Sequence, residues 1–165
     1  MIHELAHVHG DCQIGDGTLV WQFASVIRGA RVGARCSIAS SAVVDGAVVG
    51  DECVVGHGSA INPGVVLGNR VFVGQNAVFC NDRWPSVSKE GFEPGNVTII
   101  VQDGAVIGAG AVILPGVILG KGCLIAANST VSRSVPAGFM WTRNDETERL
   151  HGYTNDLRSP YAGKF

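Results

Sequence analysis

Charge is scarce in this 165-residue chain: charged side chains make up 16% of it, and the formal net charge at pH 7 is −2. Without a basic field, the composition argues against binding to nucleic acid or to an anionic membrane. No run of about 18 apolar residues offers a membrane-spanning helix. The first residues also lack the basic and apolar regions of a signal peptide. We therefore expect a cytoplasmic protein with neither nucleic acid nor membrane as a partner.

Cysteine pairs with metal or redox spacing are also missing. The five cysteines include no Cys-x-x-Cys pair, which argues against zinc and disulfide chemistry. Cys80 stands apart from the other four, and we interpret it as a passenger thiol rather than a nucleophile. His3, His7 and His9 cluster near the start of the chain, where we expect a capping segment. The sequence predicts no metal site.

An aliphatic residue recurs every six positions through most of the chain. The series runs through positions 8, 14, 20, 26, 32 and 38, then 49, 55, 61, 67 and 73, and then 101, 107, 113, 119 and 125. Four residues after each stands Cys, Thr, Ala, Ser or Val, and the residue that follows the aliphatic one is often Gly. Helical and strand periods do not produce this pattern, whereas hexapeptide β-helices do. The sequence predicts an all-β, parallel β-helix with three hexads in each triangular coil.

Two breaks interrupt the repeat. Between Ile38 and Val49 the frame loses one residue, which predicts a tightened corner. Residues 80–98 form an insertion with charges, aromatic residues and two prolines. A solenoid extrudes such an insertion as a loop, often on its binding face. We therefore expect this loop to be the leading functional site.

The repeat fades towards the C-terminus. Residues 1–138 are predicted to form the β-helix domain, including the loop, and residues 139–165 a polar tail. Within the tail, residues 144–146 and Gly152 have the cap residues that could bracket a short helix.

Over residues 8–137 the chain resembles the left-handed β-helix acyltransferases. The resemblance implies a left-handed coil and a homotrimer, with acetyl-coenzyme A in the cleft between two subunits. Residues 107–120 and 131–138 are similar to the coenzyme-binding coils of that family. A thin pantetheine arm requires a groove with small side chains, and cationic groups can reach its phosphates. The candidate coenzyme ligands are Ala109, Gly110, Lys121, Ala126, Ala127 and Arg133.

A closer resemblance lies in residues 20–33, which begin Val-Trp-Gln-Phe, and in residues 79–85, Phe-Cys-Asn-Asp-Arg-Trp-Pro. Both are similar to the branch that N-acetylates amino sugars on nucleotide carriers, as in O-antigen synthesis. The chain departs from that branch at Cys80, where Thr is usual, and in the longer run before the coil resumes.

The residue before Pro85 distinguishes two acceptor chemistries. Relatives that acetylate a sugar hydroxyl place a His before the equivalent Pro, because a hydroxyl requires a positioned base. Here that residue is Trp84. An amine with a pKa of about 7.7–8.0 is already partly neutral at pH 7. We therefore expect an acetyl-coenzyme A-dependent N-acetyltransferase of a nucleotide-linked amino-deoxy sugar.

Three residues are catalytic candidates. Asn81 or Asp82 could hold the amine, although either could instead cap a turn, as these residue types commonly do. His57, at a corner one coil before Gln75 and beneath the root of the loop, could accept the proton of the amine. The alternative for His57 is an exposed corner residue without a catalytic role.

Candidate ligands of the nucleotide sugar lie in two places. Arg83 and Trp84 in the loop suit a diphosphate and a flat base or sugar face. Arg28 and Arg31 could form a second phosphate site. Trp21 and its neighbour Phe23 occupy outward hexad positions, where either an adjacent subunit covers them or a base stacks on them.

Three other functions fit a hexapeptide solenoid. A γ-type carbonic anhydrase requires a pair of zinc-binding His residues five apart, which is missing here. A non-catalytic scaffold would have no use for a charged, aromatic loop beside a groove of small residues. A sugar O-acetyltransferase is the closest alternative, and the identity of the acceptor separates it from the amine hypothesis.

Overall fold

In the computed structural model, residues 1–85, 99–142, 144 and 146–149 are described. They form a parallel β-solenoid of short strands, without a helix in this part of the chain. The predicted all-β, hexapeptide solenoid is therefore confirmed. No helix among these residues is long and apolar enough to cross a membrane.

The strands form three sheets, one for each face of the triangular coil. The first face contains β1 His7–Val8, β4 Ser25–Ile27, β7 Val43–Asp45, β10 Ala60–Ile61, β13 Val78–Phe79, β16 Val112–Ile113 and β19 Thr130–Val131. The second face contains β2 Gln13–Ile14, β5 Arg31–Val32, β8 Val48–Val49, β11 Val65–Leu67, β14 Ile99–Val101 and β17 Ile118–Leu119. The third face contains β3 Leu19–Val20, β6 Ser37–Ile38, β9 Val54–Val55, β12 Phe72–Val73, β15 Val106–Ile107, β18 Leu124–Ile125, β20 Phe139–Trp141 and β21 Thr147–Arg149.

The core is a set of columns that follow the hexad repeat. On the third face, Ile38 pairs in register with Val55, and Ile107 pairs with Ile125 nearer the C-terminal end of the same sheet. These side chains are fully buried, and burying each is worth about 1.5–3 kcal/mol. Trp141 pairs with Ile125 and ends the column, with only 1% of its surface exposed.

The corners depart in part from expectation. We predict positive φ angles at four corner asparagines, and this is confirmed for Asn76 and Asn128, both at 56°. It is wrong for Asn62 and Asn69. Asn62 precedes a proline, which disfavours helical backbone angles. Asn69 instead uses its side-chain oxygen to accept a 2.8 Å hydrogen bond from the backbone N–H of Asp51.

The two predicted breaks lie where the frame shifts. Val26 pairs with Val44, but Val32 pairs with Val49, which is one residue nearer in sequence. The corner between them is shortened to Gly46, whose φ is 55°. The insertion leaves the solenoid between β13 and β14, and residues 86–98 of it lie outside the described residues.

The solenoid continues beyond the predicted boundary at residue 138. Strand β20 adds to the third face parallel to β18, and β21 then pairs with β20 in antiparallel orientation. The predicted short helix is wrong for Thr147–Arg149, because the open edge of β20 supplies backbone partners for a strand. The rest of that helix and the tail to residue 165 lie outside the described residues.

Candidate functional site

Adjacent faces meet along three edges that run the length of the solenoid. The edge between the third and first faces, here the His57 edge, carries at successive coils Gln22, Ser40, His57, Gln75, Ala109 and Ala127. The edge between the first and second faces, here the loop edge, carries Arg28, the start of the loop at 80–85, and Arg133. The edge between the second and third faces, here the charged edge, carries Asp16, Arg35, Asp51, Asn69, Asp103 and Lys121.

The His57 edge is a straight ladder of stacked corners. The carbonyl oxygens of His57, Gln75 and Ala109 each accept a 2.8 Å hydrogen bond from a backbone N–H of the next coil. The coils approach so closely that a Cβ atom on Gly74 would lie 2.5 Å from the Ala109 nitrogen. The corners of the His57 edge therefore require small residues, and these residues leave an exposed strip along the edge. Four predicted coenzyme ligands lie together on this strip: Ala109, Gly110, Ala126 and Ala127.

An open cavity of about 510 Å³ lies on the third face beside His57. Trp21 and Phe72 form its two aromatic walls, and Ser37 and Val54 are among the residues of its floor. The Trp21 indole is held by a 3.2 Å hydrogen bond from Nε1 to Ser37 Oγ. This volume falls in the range of small-molecule sites, which are about 300–1,000 Å³.

Sequence reasoning identified Trp21 as an outward aromatic residue but missed Phe72. The structure leaves 37% of Trp21 and 43% of Phe72 exposed. Phe72 occupies the outward position of its strand, directly before the inward Val73. An aromatic side chain at an outward hexad position was therefore the signal that could have found it.

The loop residues lie on a different edge from His57. Asp82 Oδ1 accepts a 2.9 Å hydrogen bond from the backbone N–H of Trp84, so Asp82 caps a turn, which is the alternative that the sequence left open. Trp84 is 81% exposed, and Arg83 is also exposed. Asn81 is half-buried.

The placement of His57 beneath the root of the loop is wrong. The loop begins after β13 on the first face, whereas His57 follows β9 at the opposite end of that face. A strand of the first face therefore separates the two corners, and one chain does not bring His57 to Asn81 and Asp82.

Arg28 has a partner within the fold. Its Nη2 atom lies 2.7 Å from Oδ2 of Asp45, whose carboxylate is buried with the residue only 7% exposed. The shortened corner at Gly46 places Asp45 at this position. Arg31 begins β5 on the second face and is exposed, so the structure does not put the two predicted phosphate ligands on one face.

Two predicted coenzyme ligands lie away from the His57 edge. Lys121 is on the charged edge, where its backbone N–H donates to Gln102 Oε1 at 2.9 Å. Arg133 lies over the Trp141 ring at 5.4 Å from its centroid, near the C-terminal end of the solenoid. In the chain order of the strands, Lys121 and Arg133 therefore occupy edges other than the His57 edge.

Cys80 and His9 fit structural roles. Burial raises the pKa of the Cys80 thiol above its ordinary value, which makes it a poorer nucleophile at neutral pH. His9 Nδ1 lies 2.6 Å from Asp11 Oδ1, and this contact lowers the pKa of Asp11. In the described parts of the chain, His, Cys, Asp and Glu side chains form no group of three that could hold a metal ion.

The sequence profile described as bacterial transferase hexapeptide (six repeats) matches residues 11–46, 46–81 and 98–133. The bifunctional protein GlmU of Alkalilimnicola ehrlichii is 32% identical over 93% of this chain and 35% of its own length. The chain thus spans about a third of the length of such relatives.

Two solved structures have a similar fold. AntD, an N-acyltransferase from Bacillus cereus in complex with dTDP-4-amino-4,6-dideoxyglucose and coenzyme A, aligns with a TM-score of 0.71 and 14% identity. The alignment covers 86% of this chain and 84% of AntD. The acetyltransferase domain of PglB from Neisseria gonorrhoeae, with acetyl coenzyme A, has a TM-score of 0.59 and 19% identity, covering 90% of this chain and 56% of that one.

Proposed function

The chain belongs to the bacterial transferase hexapeptide family, and we propose that it is an N-acetyltransferase acting on nucleotide sugars. The donor is acetyl-coenzyme A, and the acceptor is the amine of a nucleotide-linked amino-deoxy sugar, of the kind used in O-antigen synthesis. One observation carries the proposal: His57 stands in line with the exposed small residues of the same edge, beside an open cavity. The activities of AntD and PglB agree with it.

The strip of small residues suits the coenzyme. Ala109 and Ala127 are exposed on successive coils, where backbone groups can be approached closely. A pantetheine arm can lie along such a strip because no large side chain stands in its path. When bound, acetyl-coenzyme A supplies an acetyl thioester whose carbonyl carbon is open to attack by an amine.

We assign to His57 the role of accepting the proton from the acceptor amine. Attack by a neutral amine forms a C–N bond to the acetyl carbon and breaks the C–S bond of the thioester, so that coenzyme A leaves as its thiolate. The nitrogen becomes positively charged in this reaction and must lose a proton to give the neutral amide. An imidazole at the rim of the cavity can accept that proton. An amine with a pKa near 7.7–8.0 supplies a substantial neutral fraction at pH 7, so its activation does not depend on the base.

A homotrimer completes the site. Arg83 and Trp84 lie on the loop edge of their own chain, away from its His57 edge. In a homotrimer, the loop edge of one subunit can face the His57 edge of the next, which brings the loop residues to the acceptor. The exposed Phe23 also supports subunit contact. Light scattering should give three times the 17.2 kDa chain mass, and a fully active monomer would contradict a shared site.

The acceptor decides between the proposed function and its closest alternative. A panel of nucleotide-linked amino sugars and their hydroxyl analogues, assayed with acetyl-coenzyme A, should give acetylation on nitrogen alone. Acetylation of hydroxyl sugars only would establish an O-acetyltransferase, a reaction for which His57 offers the required base. If coenzyme A produces no thermal stabilisation and no acceptor reacts, the protein is a scaffold.

A further inference from the structure

The His57 edge has room for a ligand on each side of His57. The proposed coenzyme strip lies towards the C-terminal end, on the coils of Ala109 and Ala127. The cavity lies mainly towards the N-terminal end, from the coil of Trp21 to that of Phe72. Two substrates that react at His57 can therefore approach it from opposite ends of the solenoid.

We propose that this cavity, here the aromatic groove, binds the nucleoside part of the acceptor, with its base stacked on Trp21 or Phe72. The inference rests on the proposed function and adds residues that the loop hypothesis did not include. Aromatic side chains stack on any base, because every base presents a flat π face.

The dimensions of the groove suit a nucleoside. Trp21 follows β3 and Phe72 begins β12, three coils further along. Because neighbouring coils are about 4.7–4.9 Å apart, the backbones of the two residues lie about 14 Å apart. Between them the floor is made of short side chains, including Ser37 and Ser40. A base can therefore stack at one wall while the attached sugar extends along the floor towards His57.

Polar groups at the rim can read the edge of a base. Gln22 and Gln75 both line the groove, and each side-chain amide offers donors and an acceptor. The hydrogen bond from Trp21 to Ser37 orients the indole before any ligand arrives. A rigid aromatic wall with adaptable amides beside it is typical of sites that bind flat, polar rings.

The test uses UDP, dTDP, GDP and coenzyme A as separate probes, titrated calorimetrically into the intact protein. At least one nucleoside diphosphate should bind, and Ser40→Trp, which fills the floor, should weaken it at least tenfold. Coenzyme A binding should change by less than about twofold. Trp21→Ala and Phe72→Ala should weaken the nucleotide by about tenfold in one or both cases. Val48→Ala, at an exposed apolar position on the second face and outside the groove, is the matched control.

Tryptophan fluorescence locates the bound base. If the base stacks on Trp21, nucleotide binding should quench the emission of the wild-type protein and of Trp84→Phe, but not that of Trp21→Phe. If the base stacks on Phe72, the loss of affinity in Phe72→Ala identifies that wall instead. Quenching that disappears only in Trp84→Phe would move the base to the loop and overturn the assignment.

The remaining outcomes are also decisive. If Ser40→Trp weakens the binding of coenzyme A instead of the nucleotide, the groove belongs to the coenzyme site. If Ser40→Trp dissociates the oligomer, the groove is a contact between subunits. If no nucleoside diphosphate binds the wild type, the inference is wrong. Groove-dependent nucleotide binding without acetyl transfer would preserve the groove and refute the proposed function. If the protein acetylates an amine and the KM for the acceptor is unchanged in Ser40→Trp, Trp21→Ala and Phe72→Ala, the proposed function stands and the groove assignment is wrong.

Discussion

The backbone N–H of Gly110 donates a 2.8 Å hydrogen bond to the carbonyl oxygen of Gln75. This bond joins the last coil of the aromatic groove to the first coil of the small-residue strip, although the whole inserted loop separates the two residues in sequence. The contact makes the His57 edge continuous, and the proposed donor and acceptor sites therefore share one rigid element.

Replacement of His57 tests proton transfer. If His57 is the general base, His57→Asn should lower kcat by roughly 10²–10⁴. If water accepts the proton, the loss should stay below about tenfold, and activity should rise as the pH passes the pKa of the amine, about 7.7–8.0. In that second case, Asn81→Ala and Asp82→Ala should reduce activity more than His57→Asn. His7→Asn, an exposed histidine on the first coil, is the control.

A bulky residue at Ala127 should block the coenzyme strip. Ala127→Trp places an indole in the path of the pantetheine arm, so the KM for acetyl-coenzyme A should rise at least tenfold while circular dichroism and the melting temperature stay near wild type. Ala34→Trp, at the equivalent corner position on the charged edge, should leave the KM unchanged. Wild-type kinetics in a folded Ala127→Trp would remove the coenzyme from this edge.

A methyl group at Gly74 should force two coils apart. Its Cβ would lie 2.5 Å from the backbone nitrogen of Ala109, and backbone cannot move aside as a flexible side chain can. We expect Gly74→Ala to lower the free energy of unfolding by about 1–3 kcal/mol in urea titrations. Gly10→Ala meets no atom within 4 Å and should change it by less than about 0.5 kcal/mol. Equal effects of the two variants would contradict the close stacking of the coils.

Arg28 should matter for stability as well as for any substrate. Arg28→Ala leaves the buried carboxylate of Asp45 without its cation, which should cost about 1–3 kcal/mol of unfolding free energy. Arg31→Ala, on an exposed strand position, should cost less than about 0.5 kcal/mol. If Arg28→Ala and Arg31→Ala change the free energy of unfolding in urea equally, the Arg28–Asp45 ion pair does not stabilise the fold.

The buried thiol of Cys123 should make stability fall at alkaline pH. Burial raises the pKa of this thiol to about 12 from its ordinary 9.0. Above about pH 9 the unfolded chain loses the proton while the folded chain keeps it, so rising pH favours unfolding by up to about 1.4 kcal/mol per unit. Urea titrations from pH 8 to pH 10.5 should therefore show a shallower decline for Cys123→Ala than for wild type. Parallel declines would show that the thiol is ionised in the fold.

The buried positions of the solenoid were predictable because the hexad repeat depends only on residues close together in the sequence. From Val20 onwards, each aliphatic residue of the series and its small partner four positions later are both buried, as at Ile38 and Ala42. The C-terminal strand was not predictable in this way. Thr147–Arg149 has no apolar pattern, and it is a strand because β20 offers a free edge.

The site was predictable only in its parts. His57 as a candidate base and the small residues at Ala109 and Ala127 could be identified from local sequence, and the comparison of loops identified Trp84 before Pro85. Their arrangement could not, because a corner is assigned to one of three edges only by counting coils through every break in the frame.

The sequence by itself therefore determined a hexapeptide solenoid, its small-residue positions and the place of its inserted loop, because each of these depends on residues within one repeat. Only the tertiary structure decided that His57 stands in line with Ala109 and Ala127 while Arg28, Lys121 and Arg133 lie on other edges. It also decided that Trp21 and Phe72 enclose one groove. The physical reason is that stacking places residues about one coil apart in contact across the edge, whereas residues six apart in the sequence lie at different corners of the same coil.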